Sequence, residues 1–289
     1  MTQSFEDYRT DAHTWITLAT GDYYPDVIPL AQHLYSPVLT MFGDYLQRSI
    51  SSKELFQKIS ATDETWMRIQ LCRVFRKYVS PATPVEMLKH KRKSASIIDQ
   101  FGYQFRPVDQ VQKAFSLRPS DDEVICAILW EYKDRGQSGY DLTERAFESM
   151  RELLPNFLIS GPERAGRDIL MGQIVDGYPK PDRPVDFVVK DGSGAIVAIG
   201  LARYDGDRGG AQEDDRTGQY REVSDEVIGF FDSKGLNKVK VVFINDGPGL
   251  LLGSMWSDYA HIEKRHIERV KVMTLRMLPE RLTADWLIS

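Results

Sequence analysis

The chain has 289 residues, room for two medium domains or for one large domain with insertions. Its hydrophobic content of 42% is that of an ordinary soluble globular protein, and no apolar run approaches the length of a membrane span. A formal net charge of -5 excludes a protein held to nucleic acid by bulk charge alone, although a local basic groove stays compatible with it.

The first residues, MTQSFEDYRTDAHTW, lack a basic start followed by an apolar block, so no signal peptide is expected. Residues 1–155 read as mainly helical. Trp66, Ile69, Cys72 and Phe75 recur at helical spacing, and Ser80-Pro-Ala-Thr-Pro84 ends that helix. A further helix is expected from Val85 through the basic run Lys89-His-Lys-Arg-Lys93 towards Ile98. Ser120-Asp-Asp-Glu123 and Asp141-Leu-Thr-Glu144 have the spacing of capping boxes, so each predicts a helix start. Cys72 and Cys126 lie far apart in apolar helical patterns and read as buried free thiols, which fits a reducing cytoplasm. The basic runs Arg73-Val-Phe-Arg76-Lys77 and Lys89–Lys93 are either solvated helix faces or a phosphate-contacting patch. Aromatic residues near them, Trp66, Phe75, Tyr78, Tyr103 and Phe105, read as core rather than as base-stacking platforms.

Residues 156–289 read as a mixed sheet flanked by helices. An amphipathic helix is expected from Gly161 to about Val175, then a rigid connector, Gly177 to Pro184. Val185–Val189 and Ala195–Ala202 are predicted strands, joined as a hairpin by Asp191-Gly-Ser-Gly194. A helix over 218–231, a strand over 238–244 with a sharp stop at Asn245-Asp-Gly-Pro-Gly249, a helix over 254–269 and a strand over 270–275 complete the order. The predicted fold class is α+β: a helical N-terminal region of 1–155 and a mixed-sheet core of 156–289.

Two features carry chemistry. Asp186 is an acid inside a strand pattern, which needs a partner or a metal. A structural ion pair with Arg183 is one such reading. The stretch AIGLARYDGDRGGAQEDDRTGQY, residues 198–220, leaves a core strand and crowds both signs of charge into a glycine-rich loop. Glycines at 206, 209 and 210 would let backbone approach a phosphate, but no Walker lysine accompanies them.

The order of a helix, an Asp on one strand, a hairpin, a second strand, a helix and a further strand resembles the PD-(D/E)xK nuclease superfamily. Arg216 and Tyr220 near the helix start and Asp246-Gly247 at the next strand end are similar to type II restriction endonucleases over roughly residues 160–275. The resemblance implies a restriction-endonuclease-like fold and Mg2+-dependent, sequence-specific hydrolysis of double-stranded DNA. It implies a homodimer in a prokaryotic cytoplasm and a DNA methyltransferase encoded nearby. In such a site, carboxylates on neighbouring strands hold a divalent cation against the scissile phosphate. A lysine two residues beyond the second carboxylate shares its strand face.

Here the resemblance assigns the first acid to Asp186, and Gly200 and Ala202 stand where Glu and Lys belong. Arg203 has the opposite parity, and a bulge at Gly200 would turn it towards the lysine slot. Migrated metal ligands would come from Asp205, Glu213, Asp214, Glu163 or Asp168. Arg208, Gln212, Arg216, Lys91 and Arg92 are the candidate DNA contacts. The rival readings are a catalytically inactive DNA-binding relative and a non-nuclease protein whose charged loop is a structural ion-pair network.

Overall fold

The computed structural model describes residues 3–19, 21, 23–85, 94–119, 122–134, 137–161, 169–206 and 211–289, without the side chains of 94, 132–134, 137–140 and 211–216. The chain divides into two compact units, residues 22–135 and residues 1–21 with 136–289. The second unit therefore takes in the N-terminal turns and the helix Gln137–Leu153, which the sequence groups with the helical half. The reason lies in packing: Phe5, Tyr8, Leu142, Phe147 and Met150 are buried in the same apolar cluster as the sheet.

The unit of residues 22–135 is helical, with helices Ile28–Gln47, Ser52–Ala61, Thr65–Tyr78, Ser94–Phe101, Val108–Ser116 and Glu123–Asp134. Ser51 caps the second of these, its hydroxyl accepting the Glu54 N–H at 3.2 Å, and Glu54 pairs with Lys58 one turn on at 2.7 Å. The core is built from rings: Phe56 lies 5.1 Å from Phe75, and Phe75 lies 5.2 Å from Phe105. Cys72 and Cys126 are buried and free, and burial pushes the Cys72 thiol up to about 12.

The other unit holds a five-stranded sheet. Its strands, in chain order, are β1 (Leu158–Ser160), β4 (Phe187–Lys190), β5 (Ile196–Tyr204), β6 (Lys240–Asp246) and β7 (Val270–Met273), and they lie side by side in that order. A separate two-stranded ladder pairs β2 (Ile169–Leu170) with β3 (Pro184–Val185). β1/β4 and β4/β5 are antiparallel, whereas β5/β6 and β6/β7 are parallel. Parallel neighbours need a crossover, supplied by the helices Ala211–Ser233 and Met255–Arg265. The fold is thus α+β with a mixed sheet, as composition and pattern predict.

The β4–β5 hairpin turns where expected. Asp191 Oδ1 accepts the N–H groups of Ser193 (2.9 Å) and Ala195 (3.0 Å), and Gly194 takes φ 85°. Helices cover both sheet faces. Phe147 of Gln137–Leu153 meets Phe187 edge-on at 6.2 Å, and Tyr220 of Ala211–Ser233 stacks on Phe243 at 4.4 Å.

Three expectations change. Asp141-Leu-Thr-Glu144 lies inside the helix Gln137–Leu153 and starts nothing, because the chain upstream of it is already helical. The helix expected from Gly161 to Val175 is, where described, the strand β2 followed by the single turn Met171–Ile174. Pro184–Val185, read as the end of a connector and the start of a strand, pairs instead with β2. The capping-box residues Ser120 and Asp121 and the basic run at 89–93 lie outside the described residues.

Candidate functional site

Asp186 stands at the break between β3 and β4. Its N–H donates to the Gly200 carbonyl at 3.0 Å, and its carboxylate Oδ2 accepts the Ala202 N–H at 2.8 Å. The three residues that the sequence singles out are therefore neighbours, and the half-buried carboxylate is anchored by a backbone donor. Arg183, the candidate ion-pair partner, is engaged elsewhere: it bonds Glu222 at 2.9 Å and Glu226 at 2.7 Å. Burial pushes the Glu226 carboxyl up, but the hydrogen bonds from Arg183 and Lys180 outweigh it and hold the group below its ordinary range.

The two slots beside Asp186 are filled in different ways. A Cβ on Gly200 would fall 1.9 Å from Cζ of Phe187, so the ring of Phe187 takes the space of a side chain there. Ala202 presents only a methyl group. Neither position contributes chemistry as it stands.

Arg203 requires a correction. The β5–β6 ladder runs without interruption from Ala198 opposite Lys240 to Tyr204 opposite Asp246. The hairpin's register shift falls between Val189 and Lys190, away from Gly200. With period two intact, Arg203 stays on the face opposite to Gly200 and Ala202. Its guanidinium carbon lies 5.6 Å from the centre of the Tyr220 ring, so it does not turn into the lysine slot.

Asp205 is fully buried at the end of β5. Its N–H donates to the Asp246 carbonyl at 2.7 Å, and its own carbonyl accepts the Gly249 N–H at 2.8 Å. Gly247 takes φ 109° with its Cβ direction blocked 2.2 Å from the Asp205 oxygen, so this turn requires glycine. The backbone of Asp205 is thus wedged against a turn, with its side chain buried beside it.

Of the remaining candidates, Glu163, Asp168, Arg208, Lys91 and Arg92 lie outside the described residues, as do the side chains of Gln212, Glu213, Asp214 and Arg216. Among the described residues no three His, Cys, Asp or Glu side chains converge as a metal group. Asp186 there offers one carboxylate, so the described residues alone do not make up a divalent-cation site.

Further polar residues cluster near the strand ends. Asp246, also fully buried, accepts three backbone N–H groups, from Thr17 (2.7 Å), Gly247 (2.7 Å) and Leu275 (3.0 Å). Burial raises its pKa above the ordinary carboxylate range, and the three donors act in the opposite direction. The Tyr204 hydroxyl accepts the Ala19 N–H at 2.6 Å. Beside Tyr204 opens a cavity of about 290 Å³ lined by Thr17, Ala19, Asp141, Glu144 and Glu148 among others. The bonds from Thr17, Leu275 and Ala19 join segments remote in sequence, so no local pattern reveals them.

In the helical unit, Phe75 and Phe105 are buried as expected, whereas Tyr103 is 74% exposed. No protein-family model matches this chain, and no curated protein or solved structure matches it.

Proposed function

We propose that the chain is a metal-dependent endonuclease of the type II restriction kind, acting on double-stranded DNA as a homodimer. The observation that carries this reading is the anchored carboxylate of Asp186, held by the Ala202 N–H at the entrance of β4. The element order supports it: an antiparallel hairpin followed by a helix and a further strand is the order that the nuclease resemblance implies. An acid fixed where two strands meet can hold a cation against a phosphate. Mg2+ would supply charge neutralisation there. What the chain itself contributes at Asp186 is a carboxylate whose direction is fixed by a backbone bond.

The test is incubation of plasmid DNA with the protein and Mg2+, read as discrete bands. Asp186→Asn keeps an acceptor for Ala202 and should abolish cleavage while binding of the same DNA survives. Cleavage at the wild-type rate by that variant would remove Asp186 from the mechanism.

A second reading has its own observation. Phe187 fills the Gly200 slot, and Ala202 has no functional group. This favours a DNA-binding relative of the same fold that does not cut. It predicts salt-sensitive binding and intact plasmid with either Mg2+ or Mn2+.

A further inference from the structure

On the face of β5 turned away from Gly200 and Ala202, three residues form a polar group inside an apolar layer. Arg203 and Asn245 are register partners at the carboxyl ends of the parallel strands β5 and β6. Tyr220 touches both. Its ring lies 5.6 Å from the Arg203 guanidinium carbon, and its hydroxyl donates to Asn245 Oδ1 at 3.0 Å. That bond leaves the Asn245 amide nitrogen as the free donor. Asn245 is fully buried, and its Nδ2 has no hydrogen-bond partner among the described residues. Arg203 Nη1 is likewise shielded from solvent and has no partner among them.

Buried donors are almost always satisfied, so two unsatisfied ones flanking a single phenol call for an acceptor. Asp246, next along β6, does not serve: its carboxylate already accepts three backbone N–H groups. A guanidinium fork beside an amide donor matches the oxygens of a phosphate.

We infer that Arg203 and Asn245, oriented by Tyr220, form a phosphate-binding subsite that takes a phosphodiester of the nucleic-acid backbone. Arg203 and Asn245 are the contacts, and Tyr220 is a positioning residue that fixes the amide. The identity of the ligand rests on the nuclease reading; the unsatisfied donors do not.

The test uses the full chain, with EDTA present so that no DNA is cut. Affinity for a 20-base-pair duplex is measured by fluorescence anisotropy across a salt series, and affinity for inorganic phosphate by calorimetry. Arg203→Met and Asn245→Leu should each weaken duplex binding about tenfold. For Arg203→Met the slope of log affinity against log salt should also fall by about 0.9, the loss of one phosphate contact. Tyr220→Phe keeps the ring and should weaken binding less, which gives a readout if Arg203→Met fails to fold. Arg203→Lys should recover part of the affinity.

Loss of inorganic phosphate binding with unchanged duplex affinity and slope would overturn the backbone assignment in favour of a free phosphate. Wild-type binding of both ligands by Arg203→Met and Asn245→Leu would overturn the subsite. The two proposals separate cleanly. A wild-type protein that cuts plasmid while Arg203→Met binds like wild type defeats the subsite alone. A protein that never cuts, but loses duplex affinity in Arg203→Met, defeats the nuclease reading alone.

Discussion

The two units are held together by different physics. Residues 22–135 pack an interior of rings and aliphatic chains, and the one charged side chain buried there among the described residues is Arg68. Its guanidinium is satisfied locally, donating to the carbonyls of Thr62 (2.6 Å) and Asp63 (3.1 Å). The sheet unit also has an apolar core, yet it buries Asp205, Lys240, Asp246, Glu263, Lys271 and Arg281. Glu263 is the hub of this network. It pairs with Arg281 at 2.5 Å and accepts the N–H groups of Phe5 (2.8 Å) and Val272 (2.9 Å). Arg281 reaches on to the Gln3 carbonyl. The helical unit is therefore sensitive chiefly to volume, whereas the sheet unit is sensitive to charge as well. In the sheet unit, single side chains tie together segments from opposite ends of the sequence.

Breaking the hub should have the largest effect. Arg281→Ala leaves Glu263 as a buried carboxylate without its counter-charge, and a loss of about 3–5 kcal/mol is expected. Urea denaturation reports it through Trp256 and Trp286, which belong to the sheet unit, while Trp66 and Trp130 report the helical unit. A transition that moves equally in both units would contradict this contrast.

A smaller effect comes from Lys271. Burial, reinforced by the Arg281 charge, pulls its pKa down to about 8, while its Nζ donates to the Arg281 carbonyl at 2.7 Å and sits 4.4 Å over the Trp286 ring. The folded state thus binds fewer protons than the unfolded state between about pH 8 and the ordinary lysine value of 10.5. Stability of the sheet unit should therefore rise with pH across that window, by on the order of 1–3 kcal/mol. Lys271→Met should flatten the rise, and denaturation curves at pH 7.5 and 10 check it. The smallest effect belongs to the helical unit. Ser51→Ala removes the cap of the helix Ser52–Ala61 and should cost about 1 kcal/mol, with no change in the pH profile of the sheet unit.

The same contrast explains what could be read from the sequence. Long amphipathic helices, the Asp191–Gly194 hairpin and the run of β5 and β6 declare themselves through local periodicity and turn chemistry. The three-residue β1 and two-residue β2 are too short to show any period, and pairing alone defines them. The neighbourhood of Asp186 with Gly200 and Ala202 was legible because one hairpin sets it. The side on which Arg203 lies depends on whether the ladder bulges, which is decided by pairing with β6 rather than by β5 itself. Asn245 and Asp246 are legible as part of a turn, but they and Glu263 acquire their bonding roles from partners far away in sequence, which no local pattern marks.

The Asp246 carboxylate also says something about order in time. It binds the N–H of Thr17, 229 positions earlier, and that of Leu275, which follows it. On a ribosome, the first strip of the sheet unit emerges long before the acid that will hold it. Residues 22–135, being contiguous, can complete their own core in the interval. The helical unit is in this sense an insertion whose whole sequence is available before that of its host. Contacts of such long range close slowly. The sheet unit can therefore close only after the segments that carry Asp246 and Glu263 have emerged.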